Sequence, residues 1–329
     1  MPDLAWTTRT IGGFVVALVL SAALSFVWTL ALRRLHVVQR VRADGPESHF
    51  AKTGTPQMGG VAFLTAIIGG AAMAGLLAHR EVLLTVGLML AFAAIGLVDD
   101  YLKFAKQSPY GWHARYRVPL EVVIGALFVG IVHMHRTGPV PPGAFWSYAF
   151  GVFVVVGGAN AVNLTDGLDG LAAGLVAIVG VALAAAAALL GADPAAIALT
   201  AVVAGGAAGF LWMNAPPAQV FMGDVGSMGL GAAICGLAVL MQTEVVFGVL
   251  SFIFVIEALS VIGQVASYQT TGRRILKMAP FHHHLEKCGW PEQRIVVRAW
   301  LLTAFVGVAV TGWLLWQTPG AHILGGGAP

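Results

Sequence analysis

The stretch "NAVNLTDGLDGLAAG", Asn160 to Gly174, places two carboxylates, Asp166 and Asp169, three residues apart in a very apolar setting. Val152 to Val156 precede it and a long Ala/Val/Leu run follows. Runs of roughly 20 apolar residues are long enough to cross a bilayer. The acids therefore read as lying where one membrane helix ends and the next begins. Being i and i+3, they would share a face of the helix that opens there, where the helix dipole favours anions. Simple capping would explain one aspartate; it explains less well two of them beside Asn160, Asn163 and several glycines.

Composition supports the membrane reading. Of 329 residues, 58% are hydrophobic and 10% charged, against about 25% charged in an ordinary soluble domain. Mean hydropathy is +0.84. Glycine, 42 residues, is well above the usual ~7%, as suits closely packed transmembrane helices. The two cysteines, Cys235 in an apolar run and Cys288 in a polar loop, suggest neither a disulfide nor a metal motif. Thr10 to Leu32 is too long for a signal-peptide core and reads as a first span.

Ten spans are expected, near 10–32, 58–78, 82–98, 118–134, 146–160, 171–190, 195–212, 227–241, 245–267 and 298–316. Five connections are long and polar: 33–57, 99–117, 161–170, 213–226 and 268–297. Together with Arg298, at the adjoining edge of the last span, they carry 15 of the 18 Lys and Arg residues; Arg9, Arg80 and Arg136 fall on the other side. The positive-inside rule puts the five in the cytoplasm and both termini outside. The expected fold is all-α, one polytopic membrane domain over 1–329.

Asp99, Asp100, Asp166, Asp169 and Asp224 all fall at the cytoplasmic ends of these spans. In "LVDDYLKF", Asp99 and Asp100 end the third span, with Lys103 and Lys106 as plausible membrane-surface anchors. In "FMGDVGSMGLG", Asp224 lies between Gly223 and Gly226 just before the eighth span, and glycines there allow close backbone approach to a phosphate. Phe221 could stack on a base. "PFHHHLEKCGWPE" offers His282, His283 and His284 to an anion or a metal, though in an extended segment at most two can face one point. "HFAKTGTPQMGG" brackets Lys52 with glycines but lacks a nucleotide-binding P-loop pattern. Glu121 and Glu257 lie inside spans, where ionisable groups are costly and suggest function. Carboxylates, cations and glycine loops on one membrane face suggest Mg²⁺ and phosphates, because Mg²⁺ takes one or two protein carboxylates plus substrate oxygens. A site at the bilayer boundary suggests a lipidic second substrate.

These motifs, in this order over residues 49 to 298, resemble the phospho-N-acetylmuramoyl-pentapeptide transferase family. "DGLDG" and "GDVGS" are shared with the wider polyprenyl-phosphate N-acetylhexosamine-1-phosphate transferases; the triple histidine points to this branch. The resemblance implies attack of undecaprenyl phosphate on UDP-N-acetylmuramoyl-pentapeptide, giving lipid I and UMP with Mg²⁺ in peptidoglycan biosynthesis. It implies a multi-pass protein of the bacterial cytoplasmic (inner) membrane, admits a homodimer, and gives no role to nucleic acid. By motif match Asp99 would be the base or nucleophile-handling carboxylate, with Asp100 beside it, and Asp224 would hold Mg²⁺. Asn160, Asn163, Asp166, Asp169, Asn214, Phe221 and Gly223 would line the nucleotide and sugar site. Lys52 would contact the nucleotide, and His282 and His283 the phosphate or the sugar-peptide part. Gln57 stands where the family usually has Thr, and Arg117 where Lys is expected. A sister transferase moving N-acetylglucosamine phosphate is the alternative. A transporter is disfavoured, since the aspartates cluster at helix ends and not mid-span.

Overall fold

A computed structural model of the chain describes residues 4–35, 54–106, 111–137 and 145–317. Every regular element among them is helical: α1 (Leu4–Arg34), α2 (Gly60–Met73), α3 (Arg80–Ala105), α4 (Ala114–Thr137), α5 (Phe145–Thr165), α6 (Leu171–Leu189), α7 (Pro194–Asn214), α8 (Gly223–Leu240), α9 (Glu244–Leu250), α10 (Phe252–Thr271), α11 (Phe281–Lys287) and α12 (Glu292–Gln317), with a short 3-10 turn at Leu76–Ala78. Nine of these described helices are long and apolar enough to cross a membrane. The tenth expected span is α2, apolar but 14 residues long. The protein is a polytopic helical membrane protein.

Local chemistry sets the helix ends. Asp193 caps α7, its Oδ1 accepting from the N–H groups of Ala195 and Ala196 at 3.0 Å, with Pro194 at the first helical position. Arg33 and Arg34 close α1, a placement that the helix dipole favours. The ninth expected span bends at Ser251. Ser251 N–H still donates to Phe247 O, and Val255 N–H to Ser251 O, so α9 and α10 are one apolar run with a kink.

The bundle is organised around α8, buried along nearly its whole length. Small residues make that possible. A Cβ on Gly60 of α2 would lie 2.3 Å from Gly226 Cα, and one on Gly96 of α3 would lie 2.1 Å from the Asp224 carbonyl oxygen. Both approaches exclude any side chain, and the second draws the end of α3 onto the start of α8. At the other extreme, α10 buries only Phe254 and Glu257. Its Leu259 and Ile262 are about 60% exposed (59% and 62%), a surface suited to lipid. Cys235 is buried and Cys288 exposed, and both are free.

The acids gather at one end of the bundle. Trp6, near the start of α1, packs its ring 5.2 Å from that of His79, which precedes α3 at its opposite end. α12 starts at Glu292, beside Asp169, and runs roughly 39 Å away at 1.5 Å per residue. The first described helix thus begins, and the last ends, at the end away from the acids.

Candidate active site

The helix boundaries differ from the sequence expectation where the site is built. α3 does not stop at Asp99 but continues to Ala105, so Lys103 lies one turn beyond Asp99 on the same face. α8 starts at Gly223, so Asp224 sits in its first turn and not before it. α5 continues to Thr165, placing Asn160 and Asn163 on a helix. Asp166 and Asp169 do not share a helical face, contrary to expectation. α6 starts only at Leu171, because Gly170 takes a left-handed conformation (φ 73°) that interrupts the helix before it.

Lys103 is the centre of the acid cluster. Its Nζ lies 2.6 Å from Asp99 Oδ2 and 2.8 Å from Asp224 Oδ2, joining residues 125 positions apart. Asp99 Oδ1 also accepts from Trp112 N–H at 2.5 Å. The backbone at Gly111 passes so close that a Cβ there would meet the same carboxylate. Asp100 is engaged differently. Its Oδ2 accepts from Val225 N–H at 3.0 Å and its Oδ1 from Gln57 Nε2 at 2.9 Å. Gly223, with φ 74°, packs against it, where a Cβ would come 2.7 Å from Oδ2. Gln57, a departure from the resembled pattern, thus has a partner in the site. On the far side of Asp224, Arg117 Nη1 lies 3.8 Å from Oδ2.

The loop between α5 and α6 is stitched to its surroundings. Asp169 Oδ2 accepts from Ala218 N–H at 2.9 Å, and Asp169 N–H donates to Glu292 Oε1 at 2.6 Å. Asn214 Oδ1 accepts from Gly170 N–H at 3.1 Å while its Nδ2 donates to Val220 O at 3.0 Å. Asn163 Nδ2 donates to Ser227 Oγ at 2.9 Å. Asp166 is partly exposed. Burial, then the carboxylates of Asp224, Asp100 and Asp169, push its pKa up to about 8. Phe221 is half-buried, and its N–H donates to Pro56 O at 2.8 Å.

The three histidines occupy a short helix and not an extended segment, and they still face different ways. His282 is buried, with Nδ1 3.1 Å from Glu257 Oε2. Its Nε2 faces Gly167, where a Cβ would be 2.3 Å away. His283 Nδ1 is 2.7 Å from Glu286 Oε2. His284 Nδ1 accepts from Lys277 N–H at 3.2 Å. Lys52 lies outside the described residues. Sequence reasoning missed the bridging role of Lys103, which it read as a surface anchor, and missed Glu292 and Trp112 altogether. Their partners are set by tertiary contact, and no local pattern marks them.

The model of the family Glycosyl transferase family 4 matches residues 82–242, from α3 to just beyond α8. The Phospho-N-acetylmuramoyl-pentapeptide-transferase of Geobacillus kaustophilus (strain HTA426) is 42% identical over 323 residues, covering 91% of this chain and 99% of that protein. The chain belongs to the phospho-N-acetylmuramoyl-pentapeptide transferase family. The family-model match takes in all five aspartates together with Lys103, Arg117 and Asn163. The histidine helix and the loop from Gly54 lie outside it.

Proposed function

We propose that this chain transfers phospho-N-acetylmuramoyl-pentapeptide from UDP-N-acetylmuramoyl-pentapeptide to undecaprenyl phosphate, releasing UMP and forming lipid I. The observation that carries the site assignment is Lys103 held between Asp99 and Asp224 where two membrane helices end. Lys103 and Asp224 are both partly exposed there. We place it at the cytoplasmic face of the bacterial inner membrane, with both termini outside, on the 15-to-3 distribution of positive charge.

An oxygen of the lipid phosphate attacks the β-phosphorus of the donor, and the bond from that phosphorus to the bridging oxygen breaks. The electron pair leaves with UMP. Little covalent chemistry is left to the protein, so positioning and charge stabilisation dominate. The donor set fits a magnesium ion. Asp99 and Asp224 meet Lys103, Asp224 is also near Arg117, and Asp100 and Asp166 lie within electrostatic reach of Asp224. Among the described residues no three ligating side chains form a ready-made cage; a Mg²⁺ ion here would take one or two of these carboxylates and complete its shell with phosphate oxygens. Asp224 would hold that ion, which when bound neutralises charge on the diphosphate and the departing UMP.

Asp99 acts here as a positioning carboxylate. A phosphate monoester has a second pKa near ~6, so roughly 90% is already the dianion at pH 7, and a general base has little proton to remove. Phe221, Asn163 near the end of α5 and Asp166 in the loop that follows receive the nucleotide, assisted by Lys52. His282 and His283 face the sugar-peptide part.

The purified chain, given UDP-N-acetylmuramoyl-pentapeptide, undecaprenyl phosphate and Mg²⁺, should release UMP and lipid I in equal amounts. UDP-N-acetylglucosamine should give neither. Turnover of the second donor alone would transfer the assignment to the sister reaction. Absence of UMP under every condition would revive the transporter.

A further inference from the structure

Glu121 lies inside the membrane-spanning part of α4 and is fully buried, at 0% exposure. A carboxylate there is destabilising unless paired and hydrogen-bonded. Its two oxygens have different partners. Oε1 lies 3.0 Å from Arg117 Nε, a contact between charges and not an aligned hydrogen bond. Oε2 accepts from Asn160 Nδ2 at 2.5 Å. Asn160 closes the ring, its Oδ1 accepting from Arg117 Nη2 at 3.1 Å. The Asn160 amide is also tied to its own helix, donating to Val156 O at 2.9 Å. The guanidinium is therefore gripped at Nε and at Nη2. Its remaining nitrogen, Nη1, is the one that points out of the ring, 3.8 Å from Asp224 Oδ2.

We propose that Glu121 is a positioning residue that, with Asn160, holds Arg117 so that Nη1 is presented to the diphosphate of the donor beside Asp224. The inference rests on the reaction assigned above. It also gives a reason for Arg at position 117, where the resemblance leads one to expect Lys. A lysine carries its three N–H donors on one nitrogen, so it cannot keep separate atoms on Glu121 and Asn160 while another reaches for Asp224. The planar guanidinium can. Asn160, expected to touch the substrate, belongs to this grip.

The test is steady-state kinetics on the full-length protein in detergent, with gel filtration and thermal unfolding to confirm folding. Wild-type turnover of UDP-N-acetylmuramoyl-pentapeptide comes first; its absence would remove the reaction and not the geometry. With wild type active, Glu121→Gln should raise KM for the nucleotide donor about tenfold, the scale of one charge-assisted hydrogen bond. It should leave kcat and the KM for lipid within about twofold. Arg117→Lys should raise donor KM at least as much, because the buried carboxylate draws the ammonium inward. Adding Glu121→Gln to Arg117→Lys should lower that KM again, since the freed lysine can turn to Asp224. A purely structural ion pair would change unfolding but not donor KM. A folded Glu121→Gln enzyme with wild-type donor KM, or a double variant whose effects simply multiply, would overturn the proposal. Should Glu121→Gln not fold, Glu121→Asp, which keeps the charge but withdraws it by one methylene, is read by the same criteria.

Discussion

Asp99 and Asp100 are neighbours in one motif, yet they belong to different regions of the molecule's chemistry. Asp99, like Asp224, meets the ammonium of Lys103. Asp100 gives its oxygens to Val225 N–H and to Gln57, joining α3 to the start of α8 and to the loop before α2. Asp169 and Asn214 do the same around the loop between α5 and α6, accepting from Ala218 and Gly170 N–H groups. The difference teaches that residue type and motif do not assign a role here; the partner does. A carboxylate whose two oxygens both go to backbone or amide donors, as in Asp100, is committed to the scaffold; Asp99 commits only Oδ1 in that way, to Trp112 N–H. One that faces a lysine at a partly open helix end can exchange that partner for a substrate or an ion.

The contrast can be broken most sharply at Asp99. Asp99→Asn should lose far more than tenfold in turnover, the most that deprotonating the lipid phosphate could supply, and should stay low at pH 9. Full recovery at high pH would restore Asp99 as a simple base. A stoichiometric UMP burst from lipid-free enzyme, with a phospho-sugar trapped on Asp99, would make it a nucleophile.

A smaller effect, of a different kind, is expected on the scaffold side. Asn214→Ala strands the buried Gly170 N–H and Val220 carbonyl, each costing roughly 1–3 kcal/mol when unsatisfied. Its unfolding midpoint should fall while KM of the folded fraction changes little. Asp169→Asn should be milder, since an amide oxygen can still accept from Ala218 N–H. A large KM change with unaltered stability would move Asn214 to the substrate-facing set.

The smallest effect is a pH slope. Asp166 keeps its proton up to about pH 8 in the folded chain, whereas an unfolded aspartate loses it near ~4. Between these values the folded state binds more protons than the unfolded state. Stability from this group is therefore present at low pH and lost as pH rises through 8. Without divalent cation, Asp166→Asn should unfold at a higher temperature than wild type at pH 8, with a smaller difference at pH 5. Parallel profiles would remove Asp166 from the electrostatic field of the cluster.

Much of this was legible in the sequence. Long apolar runs mark membrane helices because a bilayer offers no partner for loose backbone groups; all ten expected runs are helical, though the second holds only a 14-residue helix and the ninth is divided into α9 and α10. Their ends were less legible. Asn163 fell in an expected connection and Asn160 at the last residue of an expected span, but both ride within α5, where their side-chain amides bond Ser227 and Glu121 respectively. The five motif aspartates were readable, and four of them gather around Lys103. The split between Asp99 and Asp100 was not readable. It depends on Gln57 and Val225, which reach Asp100 only when α2 and α8 close on each other through glycine. The Arg117–Glu121 pair hinted at itself by i, i+4 spacing, but its third member comes from another helix.

The most direct test of the division is a Mg²⁺ titration of turnover for Asp224→Asn and Asp169→Asn side by side with wild type. Asp224→Asn should lose activity by roughly 10²–10³-fold, the scale of one preorganised electrostatic group. It should require more Mg²⁺ and regain part of the loss in excess ion, while Asp169→Asn keeps the wild-type midpoint. An Asp224→Asn enzyme that is weak yet has the wild-type Mg²⁺ midpoint, or a shifted midpoint in Asp169→Asn, would contradict the account.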